Sequence, residues 1–190
     1  MATVNAPVLI DFLPKARVRD LTLVKGGAVA LAVTSQVLIP LWFTPVPISL
    51  ATFTVLLVGA AFGPARAGLS VGLYLTLGVL GAPIFAGFAS GVATASFGYV
   101  VGYLAAALVV GRLAQGRADR RLVTTFGMAA LGSALIYLFG VPWLMFTLGV
   151  SFVEALMLGV VPFLFGDAIK ALLASLVLPT AWRLVGDPQE

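Results

Sequence analysis

Leu122-Val-Thr-Thr-Phe-Gly-Met-Ala-Ala-Leu-Gly-Ser-Ala-Leu-Ile-Tyr-Leu-Phe139 carries no charged residue and follows directly on Arg112, Arg117, Arg120 and Arg121. An uncharged apolar run of this length, abutting a basic segment, is the pattern of a bilayer-crossing helix with one anchored end. Working outward from it, Pro, Gly and charge divide the chain into six such stretches, 26–43, 48–62, 67–80, 93–111, 122–139 and 163–178. Two are short for a full crossing and need tilt or local thinning to make up the length. A further apolar piece, 151–161, lies between Gly149 and Pro162 and is too short to span, so it reads as a re-entrant or interfacial helix with Glu154 at the solvated boundary.

The expected class is therefore an all-α integral membrane protein, six transmembrane helices with a short interfacial or re-entrant helix before the sixth. It forms a single membrane domain over 1–190: an N-terminal cytoplasmic segment 1–24, a bundle 25–180 and a cytoplasmic tail 181–190. Composition agrees. The 190 residues are 61% apolar and 9% charged, with a mean hydropathy of +1.13, against about 45–50% apolar and about 25% charged in soluble domains. Six helices of about 20 residues use about 120 residues, which leaves no room for a soluble domain.

Charge placement gives the orientation. Lys15, Arg17, Arg19 and Lys25 precede the first span, Arg66 separates the second and third, the four arginines separate the fourth and fifth, and Arg183 follows the sixth. The opposite connections, 40–47, 81–92 and 140–162, contain no Lys or Arg. By the positive-inside rule both termini are cytoplasmic, and the protein is a multi-pass protein of the cell membrane. The pI of 9.9 and net charge of +4 are accounted for by these topology determinants, so no nucleic-acid partner is expected. The mixed segment before Asp20, which includes Asp11, lacks the form of a cleavable signal peptide.

The outer connections hold Trp42, Phe43, Phe85, Phe88, Trp143, Phe146 and Phe152. These form either an interfacial aromatic belt or the lining of a site under a lid of irregular backbone. Asp167 and Lys170 have no topological reason to lie inside the sixth span, where each costs roughly 2.5 to 3.5 kcal/mol. Three residues apart, they share one helical face. Paired at about 4 Å they recover on the order of 4 kcal/mol before desolvation. The pair is either a brace between helices or a polar ligand site roughly 6 to 10 Å below the outer end of the helix.

Other chemistry is sparse. The chain has no Cys and no His, no phosphate-binding Gly loop and no zinc motif, so no catalytic residue, metal or cofactor is expected. Small residues four apart, Ala28 and Ala32, Gly68 and Gly72, Gly98 and Gly102, allow close helix approach, within the chain or toward a partner.

Taken together, Pro45-Val-Pro-Ile-Ser-Leu-Ala-Thr-Phe53, Leu56-Leu-Val-Gly59, Gly63-Pro64, Ser70, Tyr74, Gly78-Val-Leu-Gly81, Pro83-Ile-Phe-Ala-Gly87, Gly98-Tyr99 and Pro162-Phe-Leu-Phe-Gly-Asp-Ala-Ile-Lys170 resemble one family over residues 25–179. It is BioY, the biotin-specific S component of energy-coupling factor (ECF) transporters. The resemblance implies a six-helix protein that captures biotin from outside and works with a membrane coupling subunit and two ATPase subunits. This chain would supply specificity, not energy, and would not be an enzyme.

The resemblance also implies that Asp167 and Lys170 belong to the ligand site and that a loop containing Phe85, Ala86 and Gly87 closes over it. Tyr74, Trp143 and Thr52 are then candidates for its walls or hydrogen bonds, and Ala28 and Ala32 for the coupling-subunit interface. The chain departs from the family where Ala51 stands for Gln, Phe88 for a second Gly, and Ala95-Ser96-Phe97 for Pro-Thr-Gly. Alternatives are an S component for another vitamin such as thiamine or, from a different class, an integral-membrane enzyme acting on lipid head groups or a helical scaffold. Copy number, and with it a homo-oligomer, stays open.

Overall fold

Apolar length alone makes four helices of the computed structural model, which describes residues 7–12 and 19–185, candidates to cross a bilayer: α2 (Ala51–Val79), α3 (Phe97–Gln115), α4 (Leu122–Leu148) and α6 (Val161–Val185). Around them lie α1 (Arg19–Ser35), a hairpin of β1 (Leu38–Leu41) and β2 (Thr44–Ser49), the short α5 (Phe152–Gly159) and two 3-10 turns, Leu9–Phe12 and Ala86–Phe88.

α2 contains a reversal. Gly63 has φ 77° and ψ 172°, a region that is essentially glycine-only. Pro64 follows it, needing no N–H and already carrying a helical φ, so it suits the first turn of a new arm. Thr52 and Tyr74 consequently line one cavity, whereas a straight helix would hold them about 33 Å apart. The arms 51–62 and 64–79 correspond to the second and third predicted spans. α3 packs onto the corner, and a Cβ on Gly111 would come within 2.5 Å of the Pro64 nitrogen.

Three expectations need correction. The first span does not run to residue 43: α1 stops at Ser35, and the chain enters an antiparallel hairpin with Leu38 opposite Ser49 and Ile39 opposite Ile48. The all-helical class stands, with one short hairpin set between α1 and α2. Pro40, Pro45 and Pro47 cannot continue a helix. Extended backbone instead lets Thr44 and Val46 bury on one face while Pro45 points out. Secondly, the 140–162 connection is largely helical. α4 runs through Pro142 to Leu148 and is capped by Gly149 in the left-handed region, φ 67°.

Thirdly, Ala28 is not available to a partner. Only 5% of it is exposed, and it belongs to the core between α1 and α2, with Ala32 half-buried beside it. Neighbouring Gly27 lies against Ser70, so the small residues of α1 serve packing inside this chain. The exposed side of α1 carries Leu21, Val29 and Val33 instead. Gly98 and Gly102 also pack internally, against Trp143 and Ile136 of α4. Gly68 meets Leu108, and Gly72 faces open space.

α5 starts with a reciprocal cap. The Ser151 N–H and hydroxyl each donate to Glu154 at 2.9 Å, and the Ser151 hydroxyl accepts from the Glu154 N–H. The donated bonds hold the Glu154 carboxyl below the usual carboxylate range.

Charged groups gather at one end of the bundle. Arg66 pairs with Asp11 and Asp20, each at 2.8 Å. The Trp182 indole donates to Asp119 at 2.6 Å, with the Arg120 guanidinium 3.4 Å above its ring. The N-terminal turn, the Gly63 corner, the α3–α4 connection and the end of α6 thus share one end, as the basic pattern requires. Lys15 and Arg17 lie outside the described residues. At the other end Trp42 is 96% and Phe146 81% exposed, which suits a belt, whereas Phe85 is buried.

Gly63→Ala should lower the thermal midpoint of the detergent-solubilised protein by an amount matching about 1–3 kcal/mol of backbone strain. Gly26→Ala, on α1 with open space around its Cβ, should leave it unchanged or slightly raise it. Equal midpoints for Gly63→Ala and the unsubstituted chain would refute the corner's dependence on glycine.

Candidate functional site

A lysine ammonium inside an apolar helix needs acceptors, and Lys170 has three. Its Nζ donates to the Ser49 carbonyl at 2.9 Å, the Thr52 hydroxyl at 2.7 Å and Asp167 Oδ1 at 3.2 Å. These come from the end of β2, the first turn of α2 and the preceding turn of α6. An ammonium has three donors, so every one is committed. Asp167 takes a second donor from α4, the Tyr137 hydroxyl, which reaches Oδ2 at 2.5 Å. A carboxylate offers about four lone-pair sites; Asp167 keeps acceptor capacity that Lys170 lacks as a donor.

Both groups face a cavity between the helix ends away from the basic residues. Its volume is about 580 Å³, counted with the space at its opening. All four tyrosines of the chain, Tyr74, Tyr99, Tyr103 and Tyr137, line this cavity. Tyr74 shares a 2.7 Å hydrogen bond with Ser35 at the end of α1, and Tyr99 donates to the Gly159 carbonyl of α5 at 3.0 Å. Val46, Val100, Ile136 and Phe163 supply apolar wall. The mixture of apolar walls and a few convergent polar groups is that of a small-molecule site.

Of the expected site residues, Asp167, Lys170, Thr52, Tyr74 and Ala86 line the cavity. Phe85, Gly87 and Trp143 do not. Phe85 is 1% exposed and is wedged against Gly78, its ring 5.3 Å from Tyr74. It pins the loop from below. Gly87 turns that loop with φ 69° toward a groove beside the hairpin. The Trp143 indole donates to the Thr94 carbonyl at 2.9 Å and stacks edge-on with Phe97 at 5.3 Å, so it holds the loop end next to α3.

Sequence reasoning missed Gln36. It follows the last residue of α1, and its Nε2 donates to the carbonyls of Ile84 at 3.2 Å and Phe85 at 3.1 Å, while its Oε1 accepts the Phe88 N–H at 3.0 Å. Phe88, the position where the resembled family has Gly, lies in the left-handed region at φ 60°. The Gln36 bond offsets the strain of that conformation. Ala86 is thereby held over the cavity by α1, whose adjacent Ser35 also forms part of the cavity wall. Tyr99, Tyr103, Tyr137, Ser35 and Ser49 were missed as well. The available signal was the confinement of every tyrosine to apolar stretches.

A family model described as the BioY family matches residues 7–187. The chain belongs to the BioY family. It is 37% identical over 146 residues to a probable biotin transporter of Pyrococcus horikoshii, covering 75% of this chain and 83% of that one. It is 34% identical over 167 residues to a biotin transporter of Lactococcus lactis subsp. cremoris, covering 86% and 90%. A crystal structure of the S-component for biotin from an ECF-type ABC transporter superposes with a TM-score of 0.78 at 23% identity, covering 90% of this chain and 95% of that one. This BioY family member therefore has the S-component fold.

In this BioY chain, Gln36→Leu should speed hydrogen exchange of the Phe88 amide by about tenfold, as expected for a lost hydrogen bond worth about 1 kcal/mol plus released strain. Exchange in the middle of α3 and α4 should stay as it is. Unaltered Phe88 exchange would show that the loop is held without Gln36.

Proposed function

We propose that the chain is the biotin-capturing S component of an ECF-type vitamin uptake transporter, binding its ligand between Asp167 and the tyrosine-lined walls. The carrying observation is the buried Asp167–Lys170 pair, fixed by partners from β2, α2 and α4 inside a cavity at the end of the bundle away from the basic residues. The relatives' names supply the ligand. Biotin offers two ureido N–H donors, which suit the carboxylate's spare lone pairs. Its thioether ring and aliphatic tail suit the apolar walls. The chain binds and releases, and makes or breaks no covalent bond.

In this reading α1, the two arms of α2, α3, α4 and α6 are the six crossings, and α5 lies at the outer boundary before the sixth. Both termini are cytoplasmic, since the basic end is the inner one. Energy comes from two ATPase subunits acting through a membrane coupling subunit. With Ala28 buried, that subunit meets the outward stripe of α1, Leu21, Val29 and Val33, with Ala32 at its edge. The loop over Ala86 is the lid, and Gln36 is its tie to α1.

Titration calorimetry of the detergent-purified protein should give tight binding of biotin and none of thiamine; thiamine binding without biotin binding would transfer the chain to another vitamin. Lys170→Ala should weaken biotin binding by at least about 2 kcal/mol, because it frees Asp167 and removes the positive charge beside it. The variant should stay monodisperse on gel filtration. Full affinity in a monodisperse variant would rule the pair out as the ligand site.

A further inference from the structure

A hydroxyl buried in a membrane bundle is normally hydrogen-bonded, because no water competes for it. Three of the four cavity tyrosines obey: Tyr74 with Ser35, Tyr99 with Gly159 and Tyr137 with Asp167. Tyr103 is only 6% exposed and lines the cavity, and its hydroxyl has no hydrogen-bond partner among the described residues. The helix that carries it is held close to α4, since a Cβ added to the neighbouring Gly102 would come within 2.8 Å of the Ile136 backbone. Tyr103 follows the first residue of α3 by the same interval that separates Asp167 from the first residue of α6. Both therefore lie about 9 Å along their helices from the end that carries the lid and α5.

The committed donors narrow the choice. A ligand whose N–H groups rest on Asp167 presents a carbonyl oxygen that needs a donor. All three Lys170 donors are taken by Ser49, Thr52 and Asp167, and the Tyr137 hydroxyl is spent on Asp167. We infer that Tyr103 is a specificity-determining residue whose hydroxyl donates to the carbonyl oxygen of a cyclic urea held by Asp167. The ammonium of Lys170 then acts as a fixed charge that orients Asp167, with no direct bond to the ligand. This inference rests on the proposed biotin site, and it assigns the recognition of one ligand atom within it.

The test pairs a side-chain change with a ligand change. Tyr103→Phe removes only the hydroxyl, and without ligand the variant should be as heat-stable as the unsubstituted protein, because no protein bond is lost. Biotin affinity should fall about five- to tenfold, in line with one lost hydrogen bond. 2-Iminobiotin, in which nitrogen replaces the ureido oxygen, removes the acceptor from the other side. The preference for biotin over 2-iminobiotin should shrink at least threefold in Tyr103→Phe and stay unchanged in Gly26→Ala, a change on α1 away from the cavity with open space around it. An unchanged preference in Tyr103→Phe overturns the inference, even if both affinities drop together, since that pattern means altered packing or a lost water. A large loss of stability in Tyr103→Phe without ligand also overturns it, because the hydroxyl would then have a partner in the protein. Failure of the unsubstituted chain to bind biotin at all would overturn the proposed function instead.

Discussion

The bundle is organised around one ammonium group that has to be neutralised where there is no water. Lys170 satisfies its three donors with a carbonyl at the end of the hairpin, a hydroxyl in the first turn of α2 and a carboxylate one turn back on its own helix. The first two tie the hairpin and the start of α2 to α6, and Asp167 extends the set to α4 by accepting from Tyr137. Removing one member of such a buried set leaves an uncompensated charge, which costs about 3–5 kcal/mol. The hairpin's register, the start of α2 and the rotation of α6 are therefore set together. The cavity is what remains between the elements so fixed.

Glycine supplies the second constraint. Between helices in lipid there is little hydrophobic driving force, so association depends on close packing and polar pairs. Gly111 lets α3 meet the Gly63–Pro64 corner, Gly59 receives Val110, and Gly98 and Gly102 bring α3 onto α4. With those backbones in near contact at the glycines, the tyrosines of the same helices turn into the cavity. Small residues and large amphipathic ones next to each other in the first turns of α3 let it lie close to α4 and still present Tyr99 and Tyr103 to the cavity.

Much of this was legible in the sequence, because charge and apolar length are independent of tertiary context. The positions of Arg66, Arg112, Arg120 and Arg121 against basic-free connections mark the two ends, and the structure joins Arg66 and Arg120 to partners at one of them. Asp167 and Lys170 were visible since a charge in an apolar helix always needs a partner. The hairpin was not, because three prolines within 38–49 remove helix without announcing extended pairing. α4 outran its expected end since Pro142 interrupts a helix in water far more than among packed neighbours. Gln36 was invisible for another reason: its importance lies in the carbonyls of a loop some fifty residues away, and no local pattern encodes that.

The placement of Ala28 shows how a spacing motif can mislead. Small residues four apart permit close approach but do not specify to what, and here α2 of the same chain fills the role. That leaves the outward face of α1 to bulky Val29 and Val33, while it ends in Ser35 with Gln36 next to it, one bonded to a cavity tyrosine and the other to the 84–88 loop. A displacement of α1 relative to α2 has to break or carry both contacts, since their acceptors and donors are fixed by the Phe85 wedge and the Gly78 notch beneath it. The end of one helix therefore holds both a wall of the cavity and the loop above it.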